Sequence, residues 1–173
     1  GTARLLLNSK SERFPNGLAN SSDQVGRNLM FHPYASIWGY FNEETDGNRG
    51  PPLSLWSHEF YESDPSRGFV RGYSWQFGRG VGAILEAQQS FASGRLPWGA
   101  EHHAVYRKLY NHRMNIACIC EDLPEAHNRV TLDPVVKDAH GIPAPKIDYT
   151  ISDNSNRMLD HAIARATEFL REA

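Results

Sequence analysis

Cysteine is scarce in this 173-residue chain, which has only Cys118 and Cys120. Their i, i+2 spacing puts both on one face of a strand and suits neither an ordinary disulfide nor the usual metal knuckle. They read as reduced, buried small side chains that are not metal ligands, and they leave the redox compartment open. An excess of one charge is also missing. Eighteen Lys and Arg against twenty Asp and Glu give a formal net charge of −2, which offers no electrostatic footing for nucleic acid or an anionic membrane. No apolar run approaches the ~18 residues of a membrane span, and no signal-peptide pattern opens the chain. Metal-ligand spacing is lacking too. His102 and His103 are adjacent and diverge on a helix, and His112 lies nine or ten residues further on rather than at i, i+4. Gly78, Gly80 and Gly82 surround Arg79, but no apolar strand leads into a βαβ unit there, so the dinucleotide-binding fingerprint is not met.

The length fits one domain that buries roughly 70% of its unfolded surface. Its most informative stretch is Val25-Gly26-Arg27-Asn28-Leu29-Met30-Phe31-His32-Pro33. A polar segment precedes it (residues 16–24) and an aromatic strand follows it (residues 35–41). Gly26 permits a backbone angle or a close approach that a Cβ resists. Pro33 pushes His32 toward an extended conformation. On these residues alone the stretch is a loop-to-strand entry whose apolar residues anchor in the core.

Read in order, the chain begins with a helix over residues 2–7 that Thr2 could cap. Strands are expected over residues 35–41, 53–61 and 69–77, separated by a loop (residues 42–52) and a turn (residues 64–68). In the third strand Phe69, Arg71, Tyr73, Trp75 and Phe77 share one face. That face is either core or the wall of a substrate cavity, and Arg71 on it needs a partner, because a buried unpaired charge is expensive. A helix is expected over residues 100–113. Strands over residues 115–121, 129–132 and 146–151 read as antiparallel neighbours. The last helix, residues 154–172, has Ser152 or Asp153 as N-cap and an apolar stripe of Leu159, Ala162, Ile163, Ala166, Phe169 and Leu170.

The segment Gly1-Thr2-Ala3-Arg4-Leu5-Leu6-Leu7-Asn8-Ser9, followed by Val25-Gly26-Arg27-Asn28-Leu29 and His32-Pro33, resembles the glucose–methanol–choline (GMC) family of flavin oxidoreductases. That family carries Gly-Thr-Pro-Arg-Leu-Leu-Leu-x-Ser-Gly and then Val-Gly-x-Asn-Leu-x-x-His-Pro. Here Ala3 and Lys10 depart from the first pattern, and the second matches. Asn128-Arg129-Val130-Thr131-Leu132 and Pro145-Lys146-Ile147-Asp148-Tyr149 resemble two further strand segments of the family, closest to its gluconate dehydrogenase-like branch.

The resemblance implies an α+β fold, a mainly antiparallel sheet flanked by helices. Residues 1–33 would be the tail of an FAD-binding domain and residues 34–173 part of a substrate-binding domain. It implies oxidation of an alcohol, sugar or polyol by hydride transfer to FAD, with an electron acceptor of unknown identity. Gly1, Thr2, Asn28, His32 and Pro33 would lie beside the cofactor, and Arg71, Tyr73 and Trp75 would line the substrate side. The family's catalytic residues would follow Ala173, so none is assigned here. The opening at Gly1 and the uncapped last helix read as a piece cut from something longer, inactive by itself. The alternative is a non-catalytic α+β module whose aromatic sheet face binds a ligand or a protein. A metallohydrolase is opposed by the histidine spacing.

Overall fold

A computed structural model describes residues 1–173, the side chain at position 54 excepted. The described residues form, in order, α1 (Thr2–Asn8), β1 (Tyr34–Tyr40), β2 (Leu53–Ser57), β3 (Tyr73–Gly78), α2 (Ala83–Ala92), α3 (His102–Leu109), β4 (Arg113–Cys120), β5 (Arg129–Lys137), β6 (Pro143–Asp148) and α4 (Asp153–Glu172). The strands make a four-stranded sheet in the order β1-β4-β3-β2 and a two-stranded sheet, β5-β6. All pairs are antiparallel. The architecture is thus α+β with antiparallel sheets, as expected, and four helices. By packing, the chain divides into a unit of Gly1–His32 with Asp122–Ser155 and a unit of Pro33–Glu121 with Asn156–Ala173.

In the larger unit the core lies between one face of the four-stranded sheet and α4. Tyr73, Trp75 and Phe77 of β3 and Ile116, Cys118 and Cys120 of β4 pack with Met158, Ala162 and Ala166. The register sets Tyr73 opposite Cys120 and Trp75 opposite Cys118. Large rings thus face small thiols, a pairing of volumes that suits a close-packed layer. The alanines of α4 let the helix approach these rings. Ser152 caps α4, its Oγ accepting from the Ser155 N–H at 3.1 Å.

Several expectations are corrected. The third strand begins at Tyr73, not at residue 69. Arg71 has φ +70°. A Cβ at Gly72 would lie 1.9 Å from the Tyr61 carbonyl oxygen. The chain is bent there to pass tightly under residues 60–61, which breaks the alternation. Arg71 therefore leaves the aromatic face. Its side chain is 59% exposed and faces Glu121 at 3.9 Å. The second strand stops at Ser57, where the Tyr61 N–H bonds the His58 carbonyl and closes a turn. Thr2 does not cap α1: Gly1 holds the cap position and no side chain bonds there. The helix expected over residues 100–113 is cut to His102–Leu109, because Tyr110 is extended and Asn111 has φ +63°. β4 pairs with β1 and β3, whereas β5 and β6 pair only with each other, so the three strands expected as neighbours lie in two sheets.

Helix α2 was not expected. β3 does lead through Gly78–Gly82 into this helix, yet β4 returns antiparallel to β3, so the unit is not βαβ. α2 is anchored by charge. Buried Glu86 meets buried Arg113 at 2.6 Å, Arg113 donates to Gln89 at 2.8 Å, and its guanidinium lies 4.1 Å from the Trp38 ring centroid.

In the smaller unit α1 lies along the β5-β6 hairpin. Arg4 donates to the Pro143 carbonyl and to Asp138, each at 2.8 Å.

Candidate functional site

The two strongest sequence motifs meet in space. The Val130 N–H donates to the Gly26 carbonyl at 2.7 Å, and the Leu29 N–H to the Asn128 carbonyl at 2.9 Å. Gly26 has φ +85°, and a Cβ there would fall 2.2 Å from the Val130 carbonyl oxygen. This glycine is therefore required twice, by conformation and by space. Asn128 is fully buried. Its Oδ1 accepts from the Thr150 N–H at 2.7 Å and its Nδ2 donates to the Thr150 carbonyl at 3.0 Å. The side chain thus mimics a backbone pairing and ties the start of β5 to the end of β6.

Beyond the clamp the chain runs to Asp122, which sequence reasoning missed. Oδ2 accepts from the Tyr149 hydroxyl at 2.6 Å and the Phe31 N–H at 3.3 Å. Oδ1 accepts from the Ser155 hydroxyl at 2.7 Å and the Leu123 N–H at 3.0 Å. Burial works against the charge, but these donors outweigh it and hold the carboxyl below the usual carboxylate range. Burial and the neighbouring carboxylate push the Tyr149 hydroxyl up to about 12. Phe31 packs edge-on against Tyr149 with centroids 4.9 Å apart. The only sequence signal for Asp122 is an acid next to Glu121, between a strand and Leu123-Pro124.

The expected cofactor-side residues are placed as follows. Gly1, Thr2 and His32 are exposed and Pro33 is buried. Asn28 has φ +56° and its carboxamide donates to Gln24 at 3.3 Å. Met30 and Phe31, beside His32, are each about half exposed (52% and 48%). The clamp brings residues 25–32 together with 122–130, but it does not gather Gly1 and Thr2 with them by any hydrogen bond among the described residues.

The expected substrate-side residues separate. Tyr73 is buried and its hydroxyl shares a hydrogen bond with His161 Nδ1 at 2.9 Å. Trp75 is buried in the core and also lines a groove of about 740 Å³ with Leu55, Trp56, Phe60, Phe77 and Phe169. Arg165, Glu168 and Glu172 stand around it. Arg71 is not among the lining residues. Neither cysteine forms a disulfide, and both are buried. Burial pushes Cys118 up to about 11, and burial together with Cys118 pushes Cys120 up to about 12. No group of three or more His, Cys, Asp or Glu among the described residues could hold a metal ion. No helix among them is long and apolar enough to cross a membrane.

The chain is 37% identical over 175 residues to a 2-methyl-1,2-propanediol dehydrogenase from Mycolicibacterium austroafricanum, a match covering 99% of this chain and 31% of that protein. The chain fits a fragment of a GMC-type oxidoreductase. It is also 28% identical over 152 residues to the fructose dehydrogenase large subunit of Gluconobacter japonicus, covering 88% of this chain and 27% of that protein. It thus spans between a quarter and a third of the length of these relatives, 27% and 31%. No protein-family model matches the chain. Both relatives are named dehydrogenases, which fits an oxidoreductase.

Proposed function

We propose that this chain is part of an FAD-dependent oxidoreductase that oxidises an alcohol, sugar or polyol by hydride transfer to flavin. The observation that carries the reading is the match over 99% of the chain to a protein named for a diol dehydrogenase. Residues 1–33 supply the tail of the FAD-binding domain, and residues 34–173 supply part of the substrate-binding domain. This functional division is drawn along the sequence and differs from the division by packing.

FAD, when bound, accepts the hydride. The residues present suit its neighbourhood. The Gly26 clamp fixes the backbone that carries His32, and the half-exposed Met30 and Phe31 offer apolar surface that a planar ring can cover. His32, Gly1 and Thr2 are exposed on the side proposed for the cofactor, while Asn28 and Pro33 hold the path. On the substrate side Trp75 contributes an aromatic wall. Tyr73 sets that wall from within the core, and Arg71 borders the same strand. The chain alone is expected to bind FAD weakly, because the amides that hold a pyrophosphate in a βαβ unit are not among its elements.

The test compares His32→Ala with His103→Ala in the full-length parent protein. His32→Ala lowers flavin absorbance per folded protein, or turnover of alcohols, by an amount equivalent to about 1–3 kcal/mol. His103→Ala is near neutral, within about 0.5 kcal/mol. Equal flavin content and turnover in the two variants would reduce the motif to scaffold. A second reading, a non-catalytic binding module, is favoured by the groove, whose Leu55 and Trp56 are more than half exposed (58% and 54%). A parent protein without flavin and without alcohol oxidation would point to it.

A further inference from the structure

A second pocket lies wholly within the smaller unit, between the end of α1, the loop that follows it and β5. It encloses about 240 Å³. Its walls are fixed by the backbone. The Leu18 N–H donates to the Leu6 carbonyl at 2.9 Å, and a Cβ at Gly17 would fall 2.7 Å from that same oxygen. The loop therefore passes tightly over α1. Asn20 is buried, and both ends of its carboxamide are used. Nδ2 donates to the Asn16 carbonyl at 2.9 Å, and Oδ1 accepts from the Val25 N–H at 3.0 Å. On the opposite wall, alternation along β5 puts Arg129 and Thr131 on one face. Leu7, Val25 and Leu132 supply the apolar part of the lining.

Arg129 is the unusual member. Its Nε–H is buried and has no hydrogen-bond partner among the described residues. The residue directly across the hairpin is Asp148, an obvious counter-charge, yet Asp148 pairs with Lys146 at 3.2 Å. Asp23, also in the lining, is taken as well: its carboxylate pairs with Arg27. The hydrogen bond and charge of Arg27 hold the Asp23 carboxyl below the usual range, and Arg129 adds to them from further off. Lys10 is the other cation of the lining. Neither Lys10 nor Arg129 belongs to an ion pair among the described residues. With Asp23 set against Arg27, two positive charges are left over in one pocket. A buried charged donor without an acceptor is costly, and folded proteins avoid it.

The donor set selects the ligand. The planar fork of arginine matches two oxygens of one group, and lysine adds a point charge. Thr131 brings a hydroxyl and Asn16 a carboxamide. A cation meets no unpaired carboxylate here, and a neutral ligand leaves both charges unmet. Two surplus charges suit a dianion better than a single carboxylate.

We propose that this pocket binds a phosphate group, with Arg129 and Lys10 as its counter-charges and Thr131 as a further donor. The site stands apart from the residues proposed for the flavin. Lys10 follows the C-terminal end of α1, whereas Gly1 and Thr2 open that helix, about 10 Å away along its axis. The proposal does not depend on the oxidoreductase reading. A phosphate held there ties the loop to β5 beside the contact between Gly26 and Val130.

The full-length parent protein is titrated with inorganic phosphate by calorimetry, with chloride at matched ionic strength as the control. Saturable binding is expected. Arg129→Gln should weaken it by about tenfold or more, and the exposed Lys10→Gln by about threefold to tenfold. Phosphate should raise the melting temperature of the parent and not that of Arg129→Gln. Without phosphate, Arg129→Gln should melt no lower than the parent, because the charge it removes has no partner. No saturable binding by the parent, or binding that survives both substitutions, overturns the proposal. A sharp fall in the melting temperature of phosphate-free Arg129→Gln also overturns it, since another part of the parent then already pairs with Arg129. Repeating the titration with and without added FAD separates two sources of the group. Phosphate that binds alongside FAD, the expected result, assigns the pocket to a separate phosphate-bearing ligand. Phosphate that FAD displaces assigns it to the phosphates of FAD and overturns its separation from the flavin.

Discussion

In the unit formed by Gly1–His32 and Asp122–Ser155, order comes from directed polar contacts. Asn128 closes a backbone-like ring with Thr150, Gly26 meets Val130, and Asp122 collects four donors. In the unit formed by Pro33–Glu121 and Asn156–Ala173, a sheet face rich in rings packs on the alanines of a long helix. The difference teaches how each unit can fail. A packed core loses stability in proportion to the volume removed and relaxes partly around a cavity. A polar clamp fails at single atoms, because a buried donor or acceptor left without its partner bears the full desolvation penalty.

The largest expected effect breaks this comparison inside the packed unit. Arg113 and Glu86 are both almost fully buried, at 2% and 1% side-chain exposure. Arg113→Ala leaves the Glu86 carboxylate uncompensated, and urea unfolding should show a loss of about 3–5 kcal/mol. Replacing the pair together, Glu86→Gln with Arg113→Met, should recover much of it. A loss below about 1 kcal/mol for Arg113→Ala would mean that α2 is held by something other than this pair. Next in size, Met158→Ala removes a fully buried thioether stem from the core, for about 2–5 kcal/mol by the same measurement. In the clamp, Gly26→Ala sets a methyl group against the Val130 carbonyl at a left-handed backbone angle. A loss of about 2–3 kcal/mol is expected, with faster hydrogen exchange at the Val130 amide as the local sign.

What the sequence disclosed about these regions follows from the range of the interactions. The last helix and the β5-β6 pairing were legible, because a periodic stripe and two strand-like runs close in sequence are local signals. Helix α2 was hidden. Its residues carry no clear apolar stripe, and its anchor is an ion pair to Arg113 in a later strand. Arg71 was misplaced because alternation is a local inference, whereas the bend at residues 71–72 is imposed by close passage beneath the Tyr61 carbonyl. Gly26 and Asn128 stood out as residues. That they hold each other's segments could not be read from either one. Asp122 was missed for the same reason: its four donors come from Phe31, Leu123, Tyr149 and Ser155, and only one of them is adjacent in sequence.

Asp122 also gives the finest test of the comparison, because its contribution should depend on pH while that of Met158 should not. Its carboxyl is held below the ordinary range in the folded chain, where burial opposes ionisation and the Tyr149 and Ser155 hydroxyls and two backbone amides favour it. In the unfolded chain an aspartate titrates near about 3.9. A group whose folded value is depressed stabilises the fold fully above the unfolded value, and that contribution is lost as pH falls through the folded value. Asp122→Asn keeps the shape but supplies one accepting oxygen where the carboxylate supplies two. Tyr149 and Phe31 share one oxygen, and Ser155 and Leu123 share the other. One pair of donors must therefore face an amide nitrogen. At pH 7 the variant should be less stable by about 1–2 kcal/mol. Below pH ~4 the gap should begin to narrow, because the unfolded carboxyl then takes up a proton that the folded one resists, and the advantage is gone once pH has fallen through the lower folded value. Unfolding curves for both proteins across that interval measure it directly. A gap that stays constant with pH would mean that Asp122 acts through packing and shape, which would make the clamp resemble the packed unit after all.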